Sequence, residues 1–160
     1  MYLPLMKEAK LHQINDTCEP CNPPEQFKEL DIKEYEHWKV GLHSNQAYLG
    51  RSVIVLKRHT EDFFDTTQEE QQELLKVGKD VRDAIRTVFQ PDLMNYSTLG
   101  NIVRHVHWHV VPRYEKPMEF GGVVFEDKMW GENWTPYDKG FTLPKKTLFD
   151  IRDKIKSALG

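Results

Sequence analysis

Apolar residues follow two rhythms along this chain. Between positions 67 and 88 they recur at steps of three and four, as Leu74, Val77, Val81, Ile85 and Val88. That is the period of a helix burying one stripe. Thr67-Gln68-Glu69-Glu70 carries the capping-box pattern, in which a hydroxyl and a carboxylate satisfy each other's backbone N–H groups. A helix is therefore predicted to open there and run to about Val88, with Pro91 stopping it. Leu148, Ile151, Ile155 and Leu159 predict a second, C-terminal helix. The other rhythm is alternating or continuous and predicts strands. These are 36–42 (EHWKVGL), the β-branched run 52–57 (SVIVLK), 93–97, and a long strand over 102–112 after a turn at Leu99-Gly100-Asn101. Residues 117–143, rich in Gly, Pro and aromatics, read as irregular. The order is that of an α+β domain: antiparallel strands with one main helix packed on them.

A length of 160 residues, 39% hydrophobic and 11% aromatic, supports one core rather than two. The chain is read as one domain with an N-terminal arm (1–35), a core (36–115) and a C-terminal extension (116–160). A formal charge of −3 argues against a general grip on nucleic acid or an anionic membrane, so a bound polyanion needs a local site. Residues 1–6 (MYLPLM) are too short for a signal sequence and no run approaches a membrane span, so a cytoplasmic location is expected. Cys18 and Cys21, the only cysteines, form a C-x-x-C that suggests a metal or redox pair.

The chemistry concentrates in residues 101–114 (NIVRHVHWHVVPRY), where His105, His107 and His109 alternate with Val106, Trp108 and Val110. Alternation on a strand puts the three imidazoles on one face, roughly 7 Å apart along it. Ring nitrogens at that spacing suit one group lying over the strand. A divalent metal would accept their lone pairs. A phosphoryl group would accept their N–H groups and be open to in-line attack by one neutral nitrogen. The bland alternative is a solvated strand face that happens to be rich in histidine.

The run His105-Val-His107-Trp-His109-Val-Val, followed by Pro112-Arg113, resembles the histidine-triad (HIT) family of nucleotide hydrolases and transferases. "NYSTLGN" (95–101) resembles the family's phosphate-side turn, and "GRSVIVLKRH" (50–59) its Gly-x-strand-Lys-x-His segment. The resemblance covers roughly 36–114. It implies an antiparallel meander of about five strands with one main helix and a C-terminal helix, usually paired as a homodimer through that helix and an edge strand.

By resemblance, His107 is the nucleophile. It attacks the α-phosphorus of a nucleotide to form a nucleotidyl-histidine that water resolves. His109 orients the same phosphate and helps the leaving group. Asn101 matches an amide facing the phosphate, and Asn95 is a weaker candidate whose alternative is a plain strand-end residue. Two departures stand out. Ile102 occupies a position where many members carry a small hydroxyl residue, and His43-Ser44-Asn45 stands where members hold ribose with Asp or Asn. His43 or Asn45 is expected to take that role, with Leu42 and Trp38 as candidates for an apolar base pocket.

Some relatives hold a structural zinc with an N-terminal C-x-x-C, a histidine ending the second strand and the first triad histidine. Cys18, Cys21, His59 and His105 match that set. No organic cofactor is implied. Trp130 and Trp134 either stack on a second base or cover the core, and the structural role is favoured. Lys145 and Lys146 read as a solvated helix face. The functional expectation is a hydrolase or nucleotidyl transferase acting on dinucleoside polyphosphates such as diadenosine tetraphosphate. Nucleoside phosphoramidates are the second substrate class. Rival readings are a nucleotide-binding module without turnover and a metalloenzyme ligated by His105, His107 and His109. Without a phosphate-binding Gly-rich loop, a kinase of the common type is disfavoured.

Overall fold

A computed structural model describes residues 17–135, 138 and 140–160. The hexapeptide MYLPLM, weighed above as a leader, lies outside the described residues. The strands are β1 (Asp31–Glu34), β2 (Trp38–Leu42), β3 (Ser52–Leu56), β4 (Leu93–Ser97) and β5 (His107–Arg113). They form one antiparallel sheet in the order β1-β2-β3-β5-β4. The helices are the short α1 (Glu25–Lys28), the main α2 (Gln68–Phe89) and the C-terminal α3 (Lys145–Leu159). The expected α+β meander with a main and a C-terminal helix is the fold observed.

The capping box at the start of α2 forms as its residues imply. Thr67 Oγ1 accepts from the Glu70 N–H at 3.2 Å, and Glu70 Oε2 accepts from the Thr67 N–H at 2.8 Å. The Glu70 carboxylate also accepts from Arg58 Nε and Nη2, each at 2.9 Å, tying the end of β3 to the helix. At the far end Gln90, in the left-handed region at φ 49°, turns the chain before Pro91. The stripe of α2 (Val77, Val81, Ile85) meets α3 (Ile151, Ile155) and the sheet face carrying Trp38, Val40, Ile54 and Leu56, all buried. Truncating one of these, such as Ile85, removes roughly 2–5 kcal/mol of stability.

Three details differ from the sequence reading. β1 gave no signal because three of its four residues are charged, which suits an edge strand. Its charges pair outward, Asp31 with Lys39 at 2.7 Å and Glu34 with Lys57 at 2.8 Å. Within 117–143 a small hairpin forms, β6 (Met118–Phe120) with β7 (Val123–Phe125). Finally, the strand expected from 102 begins only at His107. The Leu56 carbonyl accepts the His105 ring N–H at 2.6 Å, so a side chain stands where the ladder would continue.

Candidate active site

The sheet face opposite α2 carries the chemistry. Val53 and Val55 on β3 pair with His109 and His107 on β5, and above them opens a cleft of about 330 Å³. Leu42, His43, Asn101 and Ile102 line it. Ile102 is 71% exposed at the mouth. The glycine turn at Gly100 takes φ 66°, where a side chain would be strained, and swings Asn101 to the rim.

The three histidines are not equivalent. His105 precedes the ladder and is buried, and its Nε2–H donates to the Leu56 carbonyl, so its lone pair sits on Nδ1. His107 donates Nδ1–H to the His105 carbonyl at 2.6 Å, so its lone pair sits on Nε2, the nitrogen a cleft-bound group would meet. The His109 ring stands 5.0 Å from that of His107, edge to face. Imidazoles that alternation alone placed about 7 Å apart thus lean together. His109 Nδ1 faces Arg51 Nη2 at 3.5 Å. Guanidinium offers only donors, so this nitrogen is the acceptor. Burial, and next the Arg51 charge, lower His109 to about 3. The same two causes lower His43 to about 3, and the Asn45 N–H donating to its Nδ1 at 3.0 Å fits the neutral ring. Both imidazoles are neutral at pH 7.

Other sequence candidates lie elsewhere. Asn45 is absorbed by its own loop, its Nδ2 donating to the Asp138 carbonyl at 2.8 Å and its Oδ1 accepting from the Ala47 N–H at 3.0 Å. Asn95 sits on β4 outside the cleft, its Oδ1 accepting from Arg113 Nη1 at 2.7 Å. Trp38 is buried on the helix side, its indole N–H donating to the Glu70 carbonyl at 2.7 Å, and forms no part of a base pocket. The apolar wall consists instead of Leu42, Val53 and Val55 with Pro20, Pro23 and Phe27 from the cysteine-bearing arm. Trp130 is exposed, whereas Trp134 packs on the His109 ring at 5.3 Å and under the Arg51 guanidinium at 5.0 Å. Lys145 and Lys146 are solvated, as expected, paired with Glu29 and Asp150.

Sequence reasoning passed over Arg51, which is 1% exposed yet reaches the cleft. Its position, just before a β-branched run, was the available signal. Gln46 was also missed. Its buried amide donates to the carbonyls of His43 and Arg51 and accepts from the Gly50 N–H, locking the loop that presents both side chains. At Gly50, φ 86° and a Phe89 ring carbon 3.1 Å from where a Cβ would stand leave room only for glycine. Arg113 grips Asp127 at 2.6 Å and the Met129 and Glu132 carbonyls, which brings the Trp134 segment back over the site. Ser97 lies opposite His109 in the ladder, and its hydroxyl is buried without a hydrogen-bond partner among the described residues.

A second cluster backs the first. Cys18 Sγ lies 3.3 Å and Cys21 Sγ 3.6 Å from His105 Nδ1, with His59 Nδ1 3.2 Å from His105 Nδ1 and 3.6 Å from Cys21 Sγ. Ligand atoms around a tetrahedral zinc at its usual bond lengths stand roughly 3.3–3.8 Å apart, close to these four separations, and all four donor atoms lie within 4.8 Å of one another. The donor set, two sulfurs and two imidazoles, fits as well. Among the described residues this is the one grouping close enough to hold a metal, and His107 and His109 are not in it. A metal centre built on all three triad histidines is therefore not the arrangement present: His105 points its lone pair away from the cleft.

Comparison with known proteins agrees with this fold. The chain is 30% identical over 112 residues to the Protein hit of Bacillus subtilis, covering 67% of this chain and 75% of that one. It is also 30% identical over 95 residues to an uncharacterised HIT-like protein of Mycoplasma genitalium, covering 56% and 67% respectively. A histidine triad protein from Sinorhizobium meliloti superimposes with a TM-score of 0.67 at 20% identity, over 84% of this chain and 93% of that one. A Zn-bound histidine triad family protein from Mycobacterium smegmatis does so with a TM-score of 0.56 at 22% identity, over 81% and 83%. No helix among the described residues is long and apolar enough to cross a membrane. Residues 29–116, more than half of the sequence and the whole of the histidine run, match the HIT domain, and the chain belongs to that family.

Proposed function

We propose that the protein is a nucleotide hydrolase or nucleotidyl transferase that cleaves dinucleoside polyphosphates, such as diadenosine tetraphosphate, at the α-phosphate. The observation that carries this reading is the His107 hydrogen bond to the His105 carbonyl, which leaves Nε2 basic beside the cleft. In the first step the Nε2 lone pair attacks the α-phosphorus. A P–N bond forms, the bridging P–O bond breaks, and its electron pair leaves on the departing phosphate oxygen. The Nδ1–H bond to the carbonyl stabilises the positive ring that results. In the second step a water oxygen attacks phosphorus, the P–N pair returns to Nε2 and the water proton is released. Asn101 serves as a neutral donor to the non-bridging oxygens and His43 as a donor toward the sugar.

Cys18, Cys21, His59 and His105 would hold a zinc ion, which in a closed site of this kind supplies structure rather than reaction chemistry. Burial pushes the Cys18 thiol up, so the charge of a bound cation is what would make it a thiolate. Because Pro20 and Pro23 belong to the same loop as the cysteines and line the cleft, the ion would fix the apolar wall. A cytoplasmic location suits free thiols. A homodimer is the assembly we infer: β4 is an open sheet edge with Leu93 and Tyr96 exposed, and Leu75 is 77% exposed on α2. Sedimentation at micromolar protein tests it, and a monomer there sinks it.

The deciding experiment is turnover of diadenosine tetraphosphate by the wild type and His107→Ala, with products separated by chromatography and an adenosine phosphoramidate run in parallel. Release of AMP by the wild type and none by the variant is the expected result. Nucleotide binding without turnover by the wild type would favour the binding module, a reading that Ile102 at the cleft mouth keeps in play.

A further inference from the structure

We propose that Arg51 selects the leaving group, making the site one for phosphoanhydrides and a poor one for phosphoramidates; this rests on the nucleophilic role given to His107 above. Arg51 closes the buried end of the cleft, between the triad face and Trp134. Its Nη2 is 3.5 Å from His109 Nδ1, and the His109 ring is otherwise faced by His43 at 6.0 Å, His107 at 5.0 Å and Trp134 at 5.3 Å. Among the described residues, none of the groups facing that ring is an anion. A permanent cation therefore stands directly behind the histidine that neighbours the reacting phosphate.

The two bond types ask opposite things of that position. When P–O of an anhydride breaks, the electron pair stays on a phosphate oxygen, which is stable as an anion and needs positive charge but no proton. When P–N of a phosphoramidate breaks, the pair would stay on nitrogen as an amide anion. That is too basic to leave, so a proton must be delivered to it as the bond breaks. His109 can deliver one only as an imidazolium, with protons on both nitrogens. Arg51 aims its own N–H at Nδ1, and a proton there would place two donors and two positive charges face to face in a buried site. His109 is thereby kept as an Nδ1 acceptor whose Nε2–H donates a hydrogen bond but has no surplus proton. What the site does supply, through Arg51, is fixed positive charge for a departing polyphosphate. Gln46 and Gly50 hold this geometry, since Gln46 binds the Arg51 carbonyl at 2.8 Å and the Gly50 N–H at 2.8 Å.

The test is kcat/KM for diadenosine tetraphosphate and for adenosine 5′-phosphoramidate, measured side by side on the wild type, Arg51→Gln and Arg51→Lys. The wild type is expected to prefer the tetraphosphate. Arg51→Gln is expected to lose roughly 10²-fold on it and much less on the phosphoramidate, so that the ratio collapses. Arg51→Lys keeps the charge and should restore most of the ratio, which a merely structural arginine would not require. A ¹⁵N spectrum of the wild type, with His109 assigned by difference against His109→Gln, should show Nδ1 unprotonated at pH 7, independently of turnover. Equal losses on both substrates in folded Arg51→Gln, a wild-type preference for the phosphoramidate, or a protonated Nδ1 overturns the proposal alone. Turnover of neither substrate by the wild type overturns the hydrolase reading and this proposal with it.

Discussion

His105 and His107 stand two residues apart, on what the sequence presents as one face of one strand, and the fold gives them opposite characters. His105 spends Nε2 on a carbonyl and turns Nδ1 toward two cysteines and His59. His107 spends Nδ1 on a carbonyl and leaves Nε2 beside the cleft. In both rings a backbone oxygen fixes which nitrogen carries the proton, and the remaining lone pair decides the chemistry. On the function proposed above, one end of the run would hold a metal and the other would attack an electrophile. A triad is thus two sites sharing a strand, joined by the very carbonyl of His105 that orients His107.

The sharpest way to break this division is to damage each end and read both outputs. His107→Ala should cost on the order of 10⁴-fold or more in turnover, with metal content by atomic absorption and Tm unchanged. Metal loss in that variant would return His107 to the ligand set. Cys18→Ser should do the reverse first. It should lose the metal and lower Tm by roughly 10 °C, because ligation that fastens the arm is folding free energy. Activity should then fall less than in His107→Ala, through loosening of the wall that Pro20 and Pro23 provide.

This contrast also marks how far the sequence could be read. Elements governed by periodicity were legible: α2 with its Thr67–Glu70 box, β3, β4 and α3 lie where the apolar spacing puts them. So was the juxtaposition of Cys18, Cys21, His59 and His105, once the resemblance had aligned them. What escaped depends on tertiary placement of single polar groups. β1 is three charges in four residues and carries no rhythm. Nothing local reveals that Arg113 captures the Asn95 amide, that Asn45 folds back on its own loop, or that an arginine preceding a buried strand reaches His109. The start of the histidine strand was misplaced for the same reason, since a side-chain hydrogen bond to Leu56 outcompetes the ladder there.

A smaller effect separates the reactive end by its response to acid. His43 and His109 are lowered to about 3 in the fold, against an ordinary value near 6.5 once unfolded. The unfolded chain therefore binds more protons between those values, and stability must fall as pH falls through that window. The expected slope is about 1.4 kcal/mol per pH unit for each histidine at the centre of the window. Urea unfolding between pH 6.5 and 5, in a Cys18→Ser background so that metal release does not contribute, reads it above the range where carboxylates titrate, with His105, also lowered by burial, adding a share of the same sign. His109→Gln should remove one proton's worth of slope. An unchanged slope would mean that His109 is charged in the folded state.

The smallest effect concerns the hydroxyl the family often places where this chain has Ile102. That side chain is 71% exposed at the cleft mouth, so replacing it costs little packing, and Ile102→Ser should leave Tm within a degree or so. A hydroxyl there would gain one hydrogen bond to the phosphate, and kcat/KM should rise roughly two- to tenfold. The Ser97 hydroxyl makes the opposite outcome equally informative. It lies across the ladder from His109, buried and without a partner among the described residues, a placement that leaves it free to serve the phosphate side from the other edge of the strand. If Ser97 already supplies that bond, Ile102→Ser changes nothing and Ser97→Ala loses the same factor. A gain from Ile102→Ser with no loss from Ser97→Ala would instead mean that the chain works without this donor and that the reactive end rests on His107, His109, Asn101 and Arg51.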